Sequence, residues 1–138
     1  MKKNVLLVDD DAIANFLNEQ VLGMTGLINN VHKAFNGKEA LDILNGYFRG
    51  MITAPDIILL DLNMPVMDGF EFIRAFRHIR FQNKEKVVII IVTSSNNPED
   101  VKRARKMGIK HYLLKPITEN DIRTIIEEEF TRSANQSL

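Results

Sequence analysis

Short apolar runs alternate with stretches whose apolar residues recur every three or four positions, and the alternation repeats five times along the chain. Val5 to Val8 reads as a first strand, and Ile13, Phe16, Leu17, Val21 and Leu22 then fall at helical spacing. Gly23 and Gly26 are expected to end that helix. Ile28 to Ala34 is a weaker strand, polar in places, and suits a sheet edge. Asn36-Gly37-Lys38-Glu39 resembles a helix start, with Asn36 as N-cap and Glu39 able to reach back. Ala40, Leu41, Leu44 and Phe48 give this second helix its buried stripe. Pro55 precedes a third strand at Ile57 to Leu60, and Phe70, Ile73, Ala75 and Phe76 mark a third helix.

The run Val87 to Val92 shows no alternation, as expected of a central parallel strand covered on both faces. Asn97-Pro98-Glu99-Asp100 opens a fourth helix with proline at its first position, and Gly108 closes it. Tyr112 to Leu114 is a fifth strand. Thr118 and Asp121 cap a last helix carrying Ile122, Ile125, Ile126 and Phe130. The five βα repeats predict an α/β domain, an open parallel sheet with right-handed crossovers and helices on both faces. A closed barrel of eight repeats needs roughly 200 residues or more. Residues 1–130 are expected to form one domain, and 131–138 a polar, frayed tail.

Composition narrows the class. The chain has 138 residues, 45% of them apolar and 26% charged, as in ordinary soluble domains. Eighteen basic and eighteen acidic side chains cancel, which argues against a general nucleic-acid or membrane binder. No cysteine is present, so disulfides and thiolate metal sites are excluded. The apolar run after Met1-Lys2-Lys3 is too short for a signal peptide, and no segment approaches the roughly 20 apolar residues of a membrane span. A cytoplasmic location is expected.

The candidate chemistry lies where apolar runs end. Val8 runs into Asp9, Asp10 and Asp11; Leu60 runs into Asp61; Leu114 runs into Lys115 and Pro116. A lone carboxylate at the tip of a buried strand is poorly placed for stability but well placed for the crevice beyond the strand ends. Asp61 alone would read as a turn cap before Pro65, Asp68 and Gly69. Asp9, Asp10 and Lys115 favour chemistry instead. Two like charges about 4 Å apart repel by roughly 4 kcal/mol at an effective dielectric near 20, so clustered acids need a cation or a shared proton. Oxygen ligands of this kind suit Mg²⁺. A carboxylate such as Asp61 can attack phosphorus and form an acyl phosphate. Asp11 precedes the helix and reads as its N-cap. Lys115 is a point charge suited to a phosphoryl oxygen, and its place between a buried strand and Pro116 argues against an ordinary solvated lysine. The hydroxyls of Thr93, Ser94 and Ser95 suit either an attached phosphate or the loop backbone. Tyr112 fits the core if its hydroxyl finds a polar partner.

The set Val8-Asp9-Asp10, Asp61-x-Asn63-Met64-Pro65-x-Met67-Asp68-Gly69, Val92-Thr93-Ser94 and Lys115-Pro116 resembles the receiver domain of two-component response regulators, over about residues 2–130. The resemblance implies a flavodoxin-like (βα)5 fold with strand order 2-1-3-4-5. It implies that Asp61 accepts a phosphoryl group, that Asp10 ligates Mg²⁺ directly, Asp9 through water and Asn63 through its backbone carbonyl. It further implies that Thr93 and Lys115 contact the phosphate, that Pro116 follows a cis bond, that Thr93 and Tyr112 form the switch, and that Asn63 and Ser95 modulate hydrolysis. The implied partners are a histidine kinase or histidine phosphotransfer protein and an unidentified downstream protein, with no direct nucleic-acid contact.

No DNA-binding segment follows about residue 130, so a stand-alone receiver is expected, switching a partner or relaying phosphate. Lys102, Arg103, Arg105, Lys106 and Lys110 around the fourth helix, with Glu127-Glu128-Glu129 in the last, suggest a homodimer through the face between those helices; a solvated helix face explains them equally well. Two other classes stand beside this reading. An aspartate-nucleophile phosphohydrolase would want an acid two residues after Asp61, where Asn63 stands. A receiver-shaped docking module that is never phosphorylated would not need Asp61, Thr93 and Lys115 intact.

Overall fold

The computed structural model describes residues 2–48, 50, 53–80 and 83–131. The elements are β1 (Lys3–Val8), α1 (Ala12–Thr25), β2 (Ile28–Ala34), α2 (Gly37–Phe48), β3 (Ile57–Leu60), α3 (Gly69–His78), β4 (Val88–Thr93), α4 (Pro98–Lys106), β5 (His111–Leu114) and α5 (Glu119–Ile126). A 3₁₀ turn at Lys84–Lys86 precedes β4, and one turn of π-helix, Glu127–Thr131, continues α5. The place of the Phe48 side chain in the α2 stripe lies outside the described side chains, and of the expected tail at 131–138 only Thr131, in the π-helical turn, falls within the described residues.

All strand pairs are parallel and the order is β2-β1-β3-β4-β5. This is the flavodoxin-like order. The unalternating run around β4 is an interior strand, paired with β3 and β5, while β3 holds the middle of the sheet. Among the described residues no helix is long and apolar enough to cross a membrane.

Because strand side chains alternate, each interior strand feeds two cores. Leu6, Val8, Ile58, Leu60 and Ile91 pack with Ala40 and Leu44 of α2, Phe72 and Phe76 of α3, and Ala104 of α4. Val5, Leu7, Ile57, Leu59, Ile90 and Val92 pack with Leu22 of α1 and Ile122, Ile125 and Ile126 of α5. A fully buried aliphatic side chain contributes roughly 1.5–3 kcal/mol, so these two layers hold the strand ends in fixed register.

α1 departs from its expected form twice. Gly23 does not end it; the helix runs on to Thr25, and Gly26, at φ 70°, caps it in the left-handed region. The roughly 1 kcal/mol cost of an interior glycine is outweighed by the burial of Leu22 and Thr25 on either side of it. The apolar positions that mark the helix in the sequence also point outward: Ile13, Phe16 and Leu17 are 70%, 55% and 54% exposed. The buried face is Asn15, Asn18, Leu22 and Thr25 instead.

Candidate functional site

Parallel strands end on the same edge of the sheet, and the hydrogen-bond ladder runs one residue past each strand. Asp9 N donates to Ala34 O at 3.0 Å, Asp61 N to Val8 O at 2.9 Å, and Lys115 N to Thr93 O at 2.9 Å. The residues that follow the apolar runs are therefore held in one row. Asp9, Asp61 and Thr93 are buried, Asp10 is exposed, and Lys115 is half-buried. One carboxylate oxygen from each of Asp9, Asp10 and Asp61 lies within 4.8 Å of the others.

Asp9 is the most tightly held. Its carboxylate accepts from Asp11 N at 2.9 Å and from Lys115 Nζ at 2.6 Å, and its carbonyl accepts from Asn15 Nδ2 at 2.9 Å. Asp61 Oδ1 accepts from Leu62 N at 2.9 Å, while its Oδ2 stands 3.7 Å from Lys115 Nζ. Burial, and then the charge of Asp9, push the Asp61 carboxyl above its ordinary range; Lys115, the Thr93 hydroxyl and the Leu62 amide pull the other way without reversing it. Burial works against the Lys115 ammonium, but the Asp9 hydrogen bond and the charges of Asp61, Asp9 and Asp11 raise it above its usual value. The site thus carries more negative charge than its one lysine neutralises.

The loop after Asp61 is shaped by close approach. A Cβ on Gly69 would lie 2.5 Å from Asp61 O and 2.9 Å from Leu62 Cα, so only glycine fits. Gly69 N donates to Leu62 O at 2.9 Å, and Asp68 and Glu71 form a capping box that starts α3. Val66 adopts φ 70° within this loop, an outlier for a β-branched residue. Asn63 is exposed on the same loop.

On the other side, Thr93 is fully buried and its Oγ1 accepts from Ser95 N at 3.3 Å. Ser95 Oγ donates to Asp100 Oδ2 at 2.8 Å, and the Tyr112 hydroxyl donates to Ser95 O at 3.0 Å. Burial, chiefly, raises the Tyr112 phenol. Tyr112 therefore ties β5 to the loop between β4 and α4. The Lys115–Pro116 bond is cis.

The structure brings Asp9, Asp10, Asp61, Thr93 and Lys115 together at the strand ends, sets Ser95 against Thr93 and Tyr112 against Ser95, and leaves Asn63 exposed on its loop. Asn15 and Asn18, which border Asp9 and Asp61 from beneath, were not singled out from the sequence. The signal was present: positions 15, 18, 22 and 25 form a helical stripe, hidden because two of its members are amides.

A five-stranded, doubly wound parallel sheet with acids and one lysine gathered at its carboxyl edge defines the receiver class of α/β domain. The chain belongs to that family: a model described as the response regulator receiver domain matches residues 5–127. A two-component response regulator from Cytophaga hutchinsonii superposes with TM-score 0.83 at 31% identity, over 95% of this chain and 99% of that one. Chemotaxis protein CheY4 of Vibrio cholerae superposes with TM-score 0.75 at 27% identity, over 94% of this chain and all (100%) of that one. Sporulation initiation phosphotransferase F of Bacillus subtilis is 27% identical over 98% of this chain and 99% of its own length. The nitrate/nitrite response regulator NarL of Escherichia coli is 33% identical over 86% of this chain, which spans half (50%) of that protein.

Proposed function

We propose that this chain is a single-domain response regulator, receiver at 1–130 with a short tail at 131–138, that takes a phosphoryl group from a histidine kinase or histidine phosphotransfer protein onto Asp61. The observation that carries the reading is the convergence of three strand ends, which sets Lys115 Nζ 2.6 Å from Asp9 and 3.7 Å from Asp61, with the two carboxylates within 4.8 Å of each other. In the transfer, an Asp61 carboxylate oxygen forms a bond to phosphorus, the phosphorus–nitrogen bond of the phosphohistidine breaks, and imidazole leaves with the electron pair.

Three hard carboxylate oxygens within 4.8 Å, with Lys115 the lysine paired to two of them, fit a small divalent cation. Asp9, Asp10, Asp61 and the Asn63 carbonyl would hold Mg²⁺. When bound, it neutralises charge that builds on the transferred phosphoryl oxygens. Lys115, an ammonium on a flexible stem now paired with Asp9, serves a phosphoryl oxygen on Asp61 from the other side. The Thr93 hydroxyl moves toward the phosphoryl group, and Tyr112, released from Ser95 O, follows it as the second half of the switch. Asn63 and Ser95 tune hydrolysis; neither is an acid or base strong at activating water.

Similarity over 99% of a protein named a phosphotransferase supports relay as one output, and partner switching is the other. Exposed Ile13, Phe16 and Leu17 on the first turns of α1 supply apolar area for a phosphodonor protein. Exposed Lys102, Arg105 and Lys106 of α4, Lys110 beyond it, and Glu127 and Glu128 are the groups available for a homodimer across the α4–α5 face. Arg103 stacks over the Phe70 ring at 4.2 Å and Glu129 pairs with His111 at 2.7 Å, so those two are engaged within the chain. The chain acts in the cytoplasm on this reading.

Intact mass after incubation with acetyl phosphate and Mg²⁺ tests the proposal, comparing wild type with Asp61→Ala. A single phosphate on wild type alone, lost with chelator, is expected. No adduct, together with no binding of beryllium fluoride, sinks the phospho-switch in favour of a docking module. Steady hydrolysis of many small phosphate esters would instead make the chain a hydrolase.

A further inference from the structure

Asn15 is 1% exposed, its Nδ2 donates to the Asp9 carbonyl at 2.9 Å, and its Oδ1 has no hydrogen-bond partner among the described residues. Asn18, also buried, lies beside it, and the crevice between these amides, Asp9 and Asp61 has no room for a water molecule. A buried acceptor left unpaired costs stability, and a leucine of similar volume would avoid that cost. Beneath the helix the surroundings are Leu7, Leu59 and Val92, which would accept leucine. The donor end of the amide gives the reason it is there.

The Asp9 carbonyl belongs to the planar peptide that joins Asp9 to Asp10, so a bond to that oxygen sets the plane in which Asp10 leaves the strand. Asp9 is held at its amide by Ala34, at its carboxylate by Asp11 and Lys115, and at its carbonyl by Asn15. Asp10 is exposed, and among the described residues no side-chain hydrogen bond holds its carboxylate. We propose that Asn15 is a positioning residue, which fixes the Asp9–Asp10 peptide from inside α1 and so aims Asp10 at the cation, at the expense of helix packing. The inference rests on the reading that the acidic cluster binds Mg²⁺.

Calorimetric titration of the full chain with Mg²⁺, beside thermal melting without metal, tests it in wild type, Asn15→Leu and Asn18→Leu. Asn15→Leu is expected to weaken Mg²⁺ roughly tenfold, the size seen when groups that orient metal ligands are removed, while the metal-free melting temperature stays level or rises. Asn18→Leu leaves the affinity unchanged. Wild-type affinity in Asn15→Leu overturns the inference and leaves the metal reading standing, as does equal weakening in both variants, which would mean general packing. Absence of Mg²⁺ binding by wild type overturns the metal reading and the inference with it. If Asn15→Leu does not fold, Asn15→Ser, which removes the reach without adding bulk, carries the same expectation for affinity and the same power to refute.

Discussion

α1 and α5 cover the same face of the sheet and begin at the same edge, yet they bury opposite chemistry. α5 packs Ile122, Ile125 and Ile126 inward, and α1 packs Asn15, Asn18, Leu22 and Thr25 while Ile13, Phe16 and Leu17 face out. The difference follows from how each helix starts. α5 is set off from Lys115 by Pro116 and Ile117, and its capping box of Thr118 and Asp121 is self-contained. α1 follows the aspartates directly, with Asp11 as its N-cap and Asn15 reaching back to Asp9. A helix whose first turns are tied by a hydrogen bond to the strand end gives up apolar packing there; one with its own cap need not.

Core truncation should expose this asymmetry most strongly. Ile122→Ala in α5 and Leu22→Ala in α1 each remove a fully buried side chain and should cost about 2–5 kcal/mol by denaturant titration. Ile125→Ala added to Ile122→Ala deepens the loss in α5. α1 has no second fully apolar anchor of that kind: Val21 is only partly buried, so Val21→Ala should cost about 1 kcal/mol or less. Equal losses at Val21 and Ile125 would erase the contrast.

This asymmetry also marks how far the residues spoke for themselves. The βα order, β2 to its last residue, the caps at Asp11 and Thr118 and the α5 stripe follow from periodicity and cap chemistry, which are local properties. The strand-end residues could be found because an apolar run that stops at a charge is conspicuous. The orientation of α1 could not, because apolar residues at helical spacing point inward only when packing alone decides, and at α1 a hydrogen bond to Asp9 also decides. Nor is the preference of Lys115 for Asp9 over Asp61, 2.6 against 3.7 Å, written in any local pattern.

The strand-end charges give the next largest effect. Burial and Asp9 raise the Asp61 carboxyl above its ordinary 3.8. Folding therefore favours its protonated form, and ionisation costs stability. That cost is absent below the ordinary value and grows as pH rises through the folded one. Asp61→Asn, without metal, should stabilise the fold at neutral pH, and the gain should fade as the pH is lowered toward 3.8. A gain independent of pH would show that shape, not charge, is being relieved. Val66, in the loop between Asp61 and α3, makes a smaller sacrifice of the same kind. A left-handed conformation costs an L-residue roughly 1–2 kcal/mol and glycine loses roughly 0.5–1 in chain entropy. Val66→Gly should therefore be more stable by roughly 0.5–1 kcal/mol, and a lower melting point would mean that φ 70° is not strained there.

The smallest effect on stability belongs to the exposed side of α1. Phe16→Ser removes a side chain that is 55% exposed and packs into neither core. Its stability should stay within about 0.5 kcal/mol of wild type. A comparable truncation at Ile125 unfolds a large fraction of the same stability, because that side chain lies between α5 and the sheet. On the proposed function, phosphorylation by acetyl phosphate needs only the strand-end residues, so Phe16→Ser should accept phosphate from it at the wild-type rate. Transfer from a phosphohistidine protein must bring a second surface against the chain, and there the variant should slow. If both donors phosphorylate it equally well, the exposed apolar turns of α1 do not serve docking, and their exposure is merely what remains after Asn15 has taken the inward face.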